Sequence, residues 1–236
     1  MGRAAITRRL SGLQRSAGML GAMIVIALAT ASAHAEWQIS VYGGINENFS
    51  SKVVLDKAPV TDSRTIDWDG RSFETPPYWG VRGTYWWNSH WGVALDYTHS
   101  KGYANLNFAT DPIYNHLEFT DGNNLLLLNL MYRGPPWWDG RVTPYVGLGI
   151  GVAVPHVEVR LKAFPGQETW EYQLAGVAVQ ALGGFDLRLT NSWSLFAEAK
   201  LSYSKIDADL VGGGSLSTEL RSPQLAVGVT YRFGGL

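Results

Sequence analysis

Residues Gln224 to Phe233 alternate without a break. Leu225, Val227, Val229, Tyr231 and Phe233 are apolar, while Gln224, Ala226, Gly228, Thr230 and Arg232 are small or polar. Successive side chains of a strand point to opposite faces, so this stretch has one apolar face and one wet face. About ten residues is also the length that a tilted strand needs to cross the hydrocarbon of a bilayer. The same period recurs along the chain: Trp37 to Asn46, Tyr78 to Trp87, Trp91 to His99, Asn124 to Arg133, Thr143 to Val154, a stretch ending near Leu189, and Trp193 to about Tyr203. With the last stretch these make eight predicted strands.

The connections alternate in length. Asn88-Ser89-His90, Gly134 to Gly140 and Thr190-Asn191-Ser192 are short turns by composition. Phe49 to Pro77, about Ser100 to Gly122, the stretch around Pro165-Gly166 and the segment holding Gly212-Gly213-Gly214 are predicted as polar loops. Four consecutive leucines blur one strand, but Asn129 and Arg133 share a parity, which puts Leu126, Leu128, Leu130 and Tyr132 on the apolar side. The clearest inner strand sets Val146, Leu148, Ile150, Val152 and Val154 against Gly147, Gly149, Gly151 and Ala153. A glycine row inside a narrow barrel leaves room for long side chains from across the lumen.

The aromatics sort to the strand ends. Trp37, Trp86, Trp87, Trp91, Trp137, Trp138, Trp193, Tyr231 and Phe233 fall beside the short turns; Tyr78, Trp79, Tyr97, Trp170, Tyr172 and Tyr203 fall towards the long connections. Two belts at opposite ends are what two membrane interfaces require. Together these patterns predict an all-β, eight-stranded antiparallel up-and-down transmembrane β-barrel. The competing architecture is a soluble sandwich or lipocalin-like barrel, whose outer face should be polar where these strands are apolar.

Arg3, Arg8, Arg9 and Arg15, an apolar run from Met19 to Leu28, and Ala33-His34-Ala35 have the form of a cleaved export signal over residues 1–35. The barrel is then expected over residues 36–236. Losing four arginines takes the formal net charge from −1 to −5, which argues against a nucleic-acid partner. There are no cysteines, so neither a disulfide framework nor a thiolate metal site is available. Arg82, Asp96, Arg133, Asp186, Arg188, Glu198, Lys200 and Arg232 share the inward parity. They predict a packed, ion-paired lumen, because eight strands leave an interior only about wide enough for side chains.

Candidate chemistry lies at the outer ends of three consecutive strands. His99 closes one, His116 precedes the next and His156 closes the third; Glu118 and Glu158 stand two residues beyond the latter two. That spacing keeps each His–Glu pair on one face, and parity turns all five residues outward at the level of lipid headgroups. Imidazole beside carboxylate can move protons or hold a divalent metal; no cofactor is otherwise indicated. The alternative is that these are solvated loop residues. His99-Ser100 cannot form a nucleophile–base pair within a strand, since neighbours face opposite ways. Asp67-Trp68-Asp69-Gly70 lacks the further ligands of a calcium loop.

The chain resembles small outer-membrane β-barrels as a whole. Ser72 to Gly80, Asn123-Asn124-Leu125-Leu126, Thr143 to Gly147 and Val154 to Glu158 look most like bacterial lipid A oxidases. That resemblance implies oxygen-dependent oxidation of the proximal glucosamine of lipid A to 2-aminogluconate. It also implies lipid A and the membrane as partners, with the chain acting as a monomer in the outer membrane. The other function class is a non-enzymatic barrel serving envelope integrity or adhesion through its loops.

Overall fold

The computed structural model describes residues 35–233. Apart from Ala35, the predicted export segment lies outside the described residues, as do Gly234, Gly235 and Leu236. Eleven strands follow in order: β1 (Glu36–Asn46), β2 (Asn48–Lys57), β3 (Val60–Asp69), β4 (Trp79–Trp86), β5 (Trp91–Ala104), β6 (Tyr114–Arg133), β7 (Val142–Leu161), β8 (Thr169–Tyr172), β9 (Gly176–Arg188), β10 (Trp193–Asp209) and β11 (Ser215–Phe233). Eight of them, β1, β4, β5, β6, β7, β9, β10 and β11, pair antiparallel around a ring. The ring closes where β1 meets β11, from Trp37↔Phe233 to Asn46↔Gln224. The eight-stranded up-and-down barrel predicted from the alternation is the architecture observed.

The remaining three strands correct the sequence reading. Phe49 to Pro77 is not a loop: β2 and β3 form a hairpin over most of it. That hairpin takes the place of β1 and β4 beyond the membrane, with Leu216↔Leu55 joining β11 to β2 and Trp68↔Ala104 joining β3 to β5. Much of 100–122 is likewise strand, because β5 runs on to Ala104 and β6 begins at Tyr114. β8 pairs with the outer end of β7, from His156↔Tyr172 to Val159↔Thr169.

These segments were masked in the sequence by an inversion of polarity along continuous strands. On β7, Val146, Leu148 and Ile150 face outward and are 55–69% exposed. Past Pro155 the parity is unbroken but the chemistry swaps: Val157, Val159 and Leu161 point inward and are buried, while His156, Glu158 and Arg160 take the outer face. β10 changes in the same way, from outward Leu195 and Leu201 to outward Lys205 and Asp207 over inward Ile206 and Ala208. In lipid the outer face must be apolar; in water it must be polar, and the inner face becomes the one driven by apolar burial. The inversion line therefore marks the outer edge of the apolar band.

Two levels fill the lumen. Within the band, Arg82 bridges Asp96 at 3.0 Å and Glu198 at 2.6 Å, and Lys200 lies 3.2 Å from Asp96. The Tyr42 hydroxyl donates to Asp96 at 2.7 Å. Gly80 makes this possible, since a Cβ there would stand 2.2 Å from the Tyr42 ring. Beyond the band an apolar core takes over, built from Leu55, Ile66, Trp68, Tyr114, Leu117, Phe119, Val157, Ile206, Leu216 and Leu220. At the other end, Arg133 and Arg232 meet Glu36 at 2.9 and 3.1 Å, and Arg232 also pairs with Asp186. Two aromatics assigned to the belts are inside instead. Trp86 is buried under Arg133, and Tyr78 donates to Gln224.

Ile150 and Val227 are each 65% exposed on the outer face near mid-strand. Arginine at either position is expected to cost about 2–4 kcal/mol of barrel stability, and far less at Arg160's level beyond the band. Urea midpoints in reconstituted bilayers measure this, with heat-modifiable migration on gels reporting the folded barrel. Equal midpoints for Ile150→Arg and the parent chain would contradict the assigned outer face.

Candidate functional site

Above the inversion line, β5, β6, β7 and β8 lie side by side, and their outward positions are close. Glu118 on β6 pairs directly with Glu158 on β7, and His156 on β7 with Tyr172 on β8. Glu158 is the hub. One carboxylate oxygen lies 2.9 Å from His156 Nδ1 and accepts from the Thr120 hydroxyl at 2.7 Å. The other lies 3.2 Å from His116 Nε2. Glu118 approaches the same His116 nitrogen at 3.6 Å, and Asp121 approaches His156 Nδ1 at 3.7 Å.

A bulge explains how so many polar groups reach one spot. Between Glu118↔Glu158 and Asn123↔Pro155, β6 spends four residues, 119–122, against two on β7. Gly122 absorbs the detour with φ of +112°, a conformation that costs glycine little and other residues much. A Cβ there would also stand 2.5 Å from His99 Nδ1. Extra residues in one strand re-aim side chains and strengthen local twist; here they bring Thr120 to Glu158 and Asp121 to His156.

Four of the five residues picked from the sequence thus converge: His116, Glu118, His156 and Glu158. His99 keeps the outward parity but is not among the side chains that contact Glu158. It is buried, stacked on Trp79 at 6.0 Å, with Nδ1 2.9 Å from the Asn124 amide oxygen. Ser100 donates to the Asn123 carbonyl instead, so no His99–Ser100 dyad forms. Asp121 and Thr120 escaped the sequence reading. Their only signal is the glycine that follows a Thr-Asp pair at a strand end, which marks a bulge only once both neighbouring strands are known.

Aromatics enclose the cluster. Trp170 stacks on His116 at 5.4 Å and meets His156 edge-on at 5.9 Å, while Tyr172 lies 4.6 Å from His156 and donates to the Asp121 carbonyl. On the far side, the segment between β3 and β4 folds against β5. Lys101 donates to the Glu74 carbonyl at 2.7 Å, and the Arg71 guanidinium lies 4.3 Å from the Tyr103 ring. Phe73 on this segment is 86% exposed.

Burial pushes the Glu158 carboxyl up, but hydrogen bonds from His116, Thr120 and His156 outweigh it and hold the group down to about 2. Glu118 moves the opposite way: burial raises it, His116 opposes, and the charge of Glu158 adds to the rise. Neighbouring carboxyls pushed apart in this way suit one to stay ionised and the other to exchange protons. The donor set also suits a divalent cation. His116, Glu118 and Glu158 form one group, and Asp121, His156 and Glu158 another, with donor atoms within 4.8 Å of one another in each.

A family model described as the outer membrane protein beta-barrel domain matches residues 19–233. Among solved structures, the outer membrane protein OprG of Pseudomonas aeruginosa is 13% identical, aligning 86% of this chain with 98% of its own at a TM-score of 0.54. Neisserial surface protein A is 14% identical over 86% of this chain and 98% of its own, at a TM-score of 0.47. No curated protein matches the chain.

In metal-free protein, side-chain carboxyl NMR is expected to show Glu158 titrating at about 2 and Glu118 above the ordinary glutamate value. The sign for stability follows. The depressed Glu158 contributes stability that is present above its unfolded value and lost as pH falls towards 2, whereas the raised Glu118 gains as pH falls. Titration of both at one ordinary value would show that the hydrogen-bond network is not formed.

Proposed function

The chain belongs to the outer membrane protein beta-barrel domain family, and from that premise we propose that it is an outer-membrane enzyme oxidising the proximal glucosamine of lipid A to 2-aminogluconate. The observation that carries this reading is the height and direction of the His116–Glu118–His156–Glu158 cluster. It faces outward on the first polar residues past the apolar band, where the sugar headgroups of the outer leaflet lie. A residue two positions beyond Val154 stands about 7 Å further along the strand, within the headgroup layer.

Three of the four stretches that resemble lipid A oxidases line this place. Val154 to Glu158 carries the hub, Asn123 to Leu126 follows the bulge, and Ser72 to Gly80 forms the wall that accepts Lys101. Trp170, half exposed beside the two imidazoles, offers an aromatic face with a polar edge to a sugar. The filled lumen supports chemistry at the outer wall over passage through the middle.

The reaction is an aldose oxidation. The base takes the proton of the anomeric hydroxyl as C1 gives up its hydrogen with two electrons to dioxygen, and the base then returns that proton to the hydroperoxide anion, which leaves as hydrogen peroxide. Hydrolysis of the resulting lactone gives an acid one oxygen heavier than the starting sugar. His116 and Glu118 are partly accessible and are placed to move the proton; His156 and Thr120 hold Glu158, which orients His116. The polar wall that β2, β3 and β8 raise beyond the membrane favours a second reading, an attachment or scaffold surface.

Mass spectrometry of lipid A with and without expression of the chain separates the two. The parent chain is expected to add one oxygen, and His156→Ala and Glu158→Ala to abolish the gain while remaining heat-modifiable barrels. No oxygen gain from the folded parent chain, supplied with dioxygen and lipid A, would leave the scaffold reading.

A further inference from the structure

We propose that the cluster is a two-ion divalent-metal centre in which the Glu158 carboxylate bridges the ions. This deepens the lipid A reading by naming the cofactor class of the same site. The metal is detected without lipid, so either claim can fail alone.

The geometry divides cleanly. Glu158 Oε2 sits with His116 Nε2 at 3.2 Å, and that nitrogen is 3.6 Å from Glu118. Glu158 Oε1 sits with His156 Nδ1 at 2.9 Å, and that nitrogen is 3.7 Å from Asp121. Two donors each about 2.1 Å from one ion are about 3.0–3.5 Å apart at tetrahedral or octahedral angles. All four separations fall at or near that span. Each oxygen of one carboxylate therefore completes a separate half-shell of one imidazole, one terminal carboxylate and one bridging oxygen. Ions in two-metal sites lie about 3.5–4 Å apart.

The chemistry of the donors names the metal class. Imidazole with carboxylate and no thiolate suits manganese, iron, cobalt or zinc, whereas magnesium and calcium take oxygen ligands. The charge fits as well, since Glu118, Asp121 and Glu158 bring three carboxylates and the two imidazoles bring no anion. Each half-shell keeps open positions, and with ions bound a hydroxide held there takes over the proton-accepting role given above to His116 and Glu118. Beside the His116 ion the side chains of His116 and Glu118 are 21% and 16% accessible, and beside the other ion Asp121 is 52% accessible.

Full-length protein, refolded in detergent without lipid A and stripped by chelator, should be titrated with Mn²⁺ and followed by calorimetry and electron paramagnetic resonance. Two equivalents are expected, with the exchange-coupled spectrum of a close pair, and a large excess of Mg²⁺ is expected not to displace them. Glu118→Gln and Asp121→Asn should each lose one equivalent and the coupling, and Glu158→Ala should lose both. Binding of one equivalent or none by the parent chain would overturn the proposal. So would two equivalents retained in Glu118→Gln and Asp121→Asn, whose folding is checked by heat-modifiability.

Discussion

Closure is the constraint on which the rest depends. In hydrocarbon an unpaired backbone N–H or C=O costs several kcal/mol, so a sheet can cross only if its last strand pairs with its first. Here β1 and β11 do so over ten consecutive residue pairs, from Trp37↔Phe233 to Asn46↔Gln224. Eight strands closed in this way fix a narrow interior. The interior must then be filled with side chains whose polar groups satisfy one another. Arg82, Asp96, Glu198 and Lys200 do this within the band, each buried and each within 4 Å of an opposite charge. Such a quartet is weak evidence for net stability, because desolvating each ion costs several kcal/mol. Its necessity is conditional: removing one member would leave two buried like charges sharing a single counter-ion.

The two halves of the barrel are held by different forces. Within the band the outward leucines and valines gain little from folding beyond what lipid already offers, and backbone pairing with lumen packing does the work. Beyond it, water surrounds the wall, and burial of Phe119, Leu117, Tyr114, Leu216 and their neighbours drives closure, each large side chain contributing about 1.5–3 kcal/mol. The hairpin of β2 and β3 exists for this second half. Val53, Leu55, Ile66 and Trp68 supply inner wall where β1 and β4 have ended.

The membrane half was legible in the sequence because its signal is redundant. Period, strand length and glycine placement all agreed, as did most of the aromatic belts. The outer half was not, because the test applied was an apolar outer face. Lys52, Val54 and Asp56 alternating with Val53 and Leu55 is as good a strand as any in the chain, but only when the apolar face is allowed to be the inner one. The site was partly legible for a related reason. Parity alone places His116, Glu118, His156 and Glu158 on one outer face, since parity survives the inversion. Asp121 and Thr120 depend on a bulge, and the partners of His99, Asn124 and Trp79, depend on the register of β4, β5 and β6. Neither follows from alternation.

The inversion line also shows why the cluster is more than the polar edge that any barrel must have. Each strand acquires outward polar residues as it leaves the band, so charge at this height is dictated by solvent alone. β10 shows what that requirement produces by itself: Lys205 and Asp207, about half exposed and paired with each other at 2.7 Å. Such a solvent-screened pair contributes little and asks nothing of its surroundings. β7 meets the same requirement at the corresponding height with His156 and Glu158, both buried, held by a bulge in β6, by Thr120 and by the rings of Trp170 and Tyr172. Folding needs none of this, since an exposed pair like that on β10 would serve. A buried carboxylate shared between two imidazoles and a hydroxyl, with two further carboxylates beside it, is an arrangement that the solvent boundary does not demand. It is the feature of the outer wall on which the proposed chemistry at the headgroup layer rests.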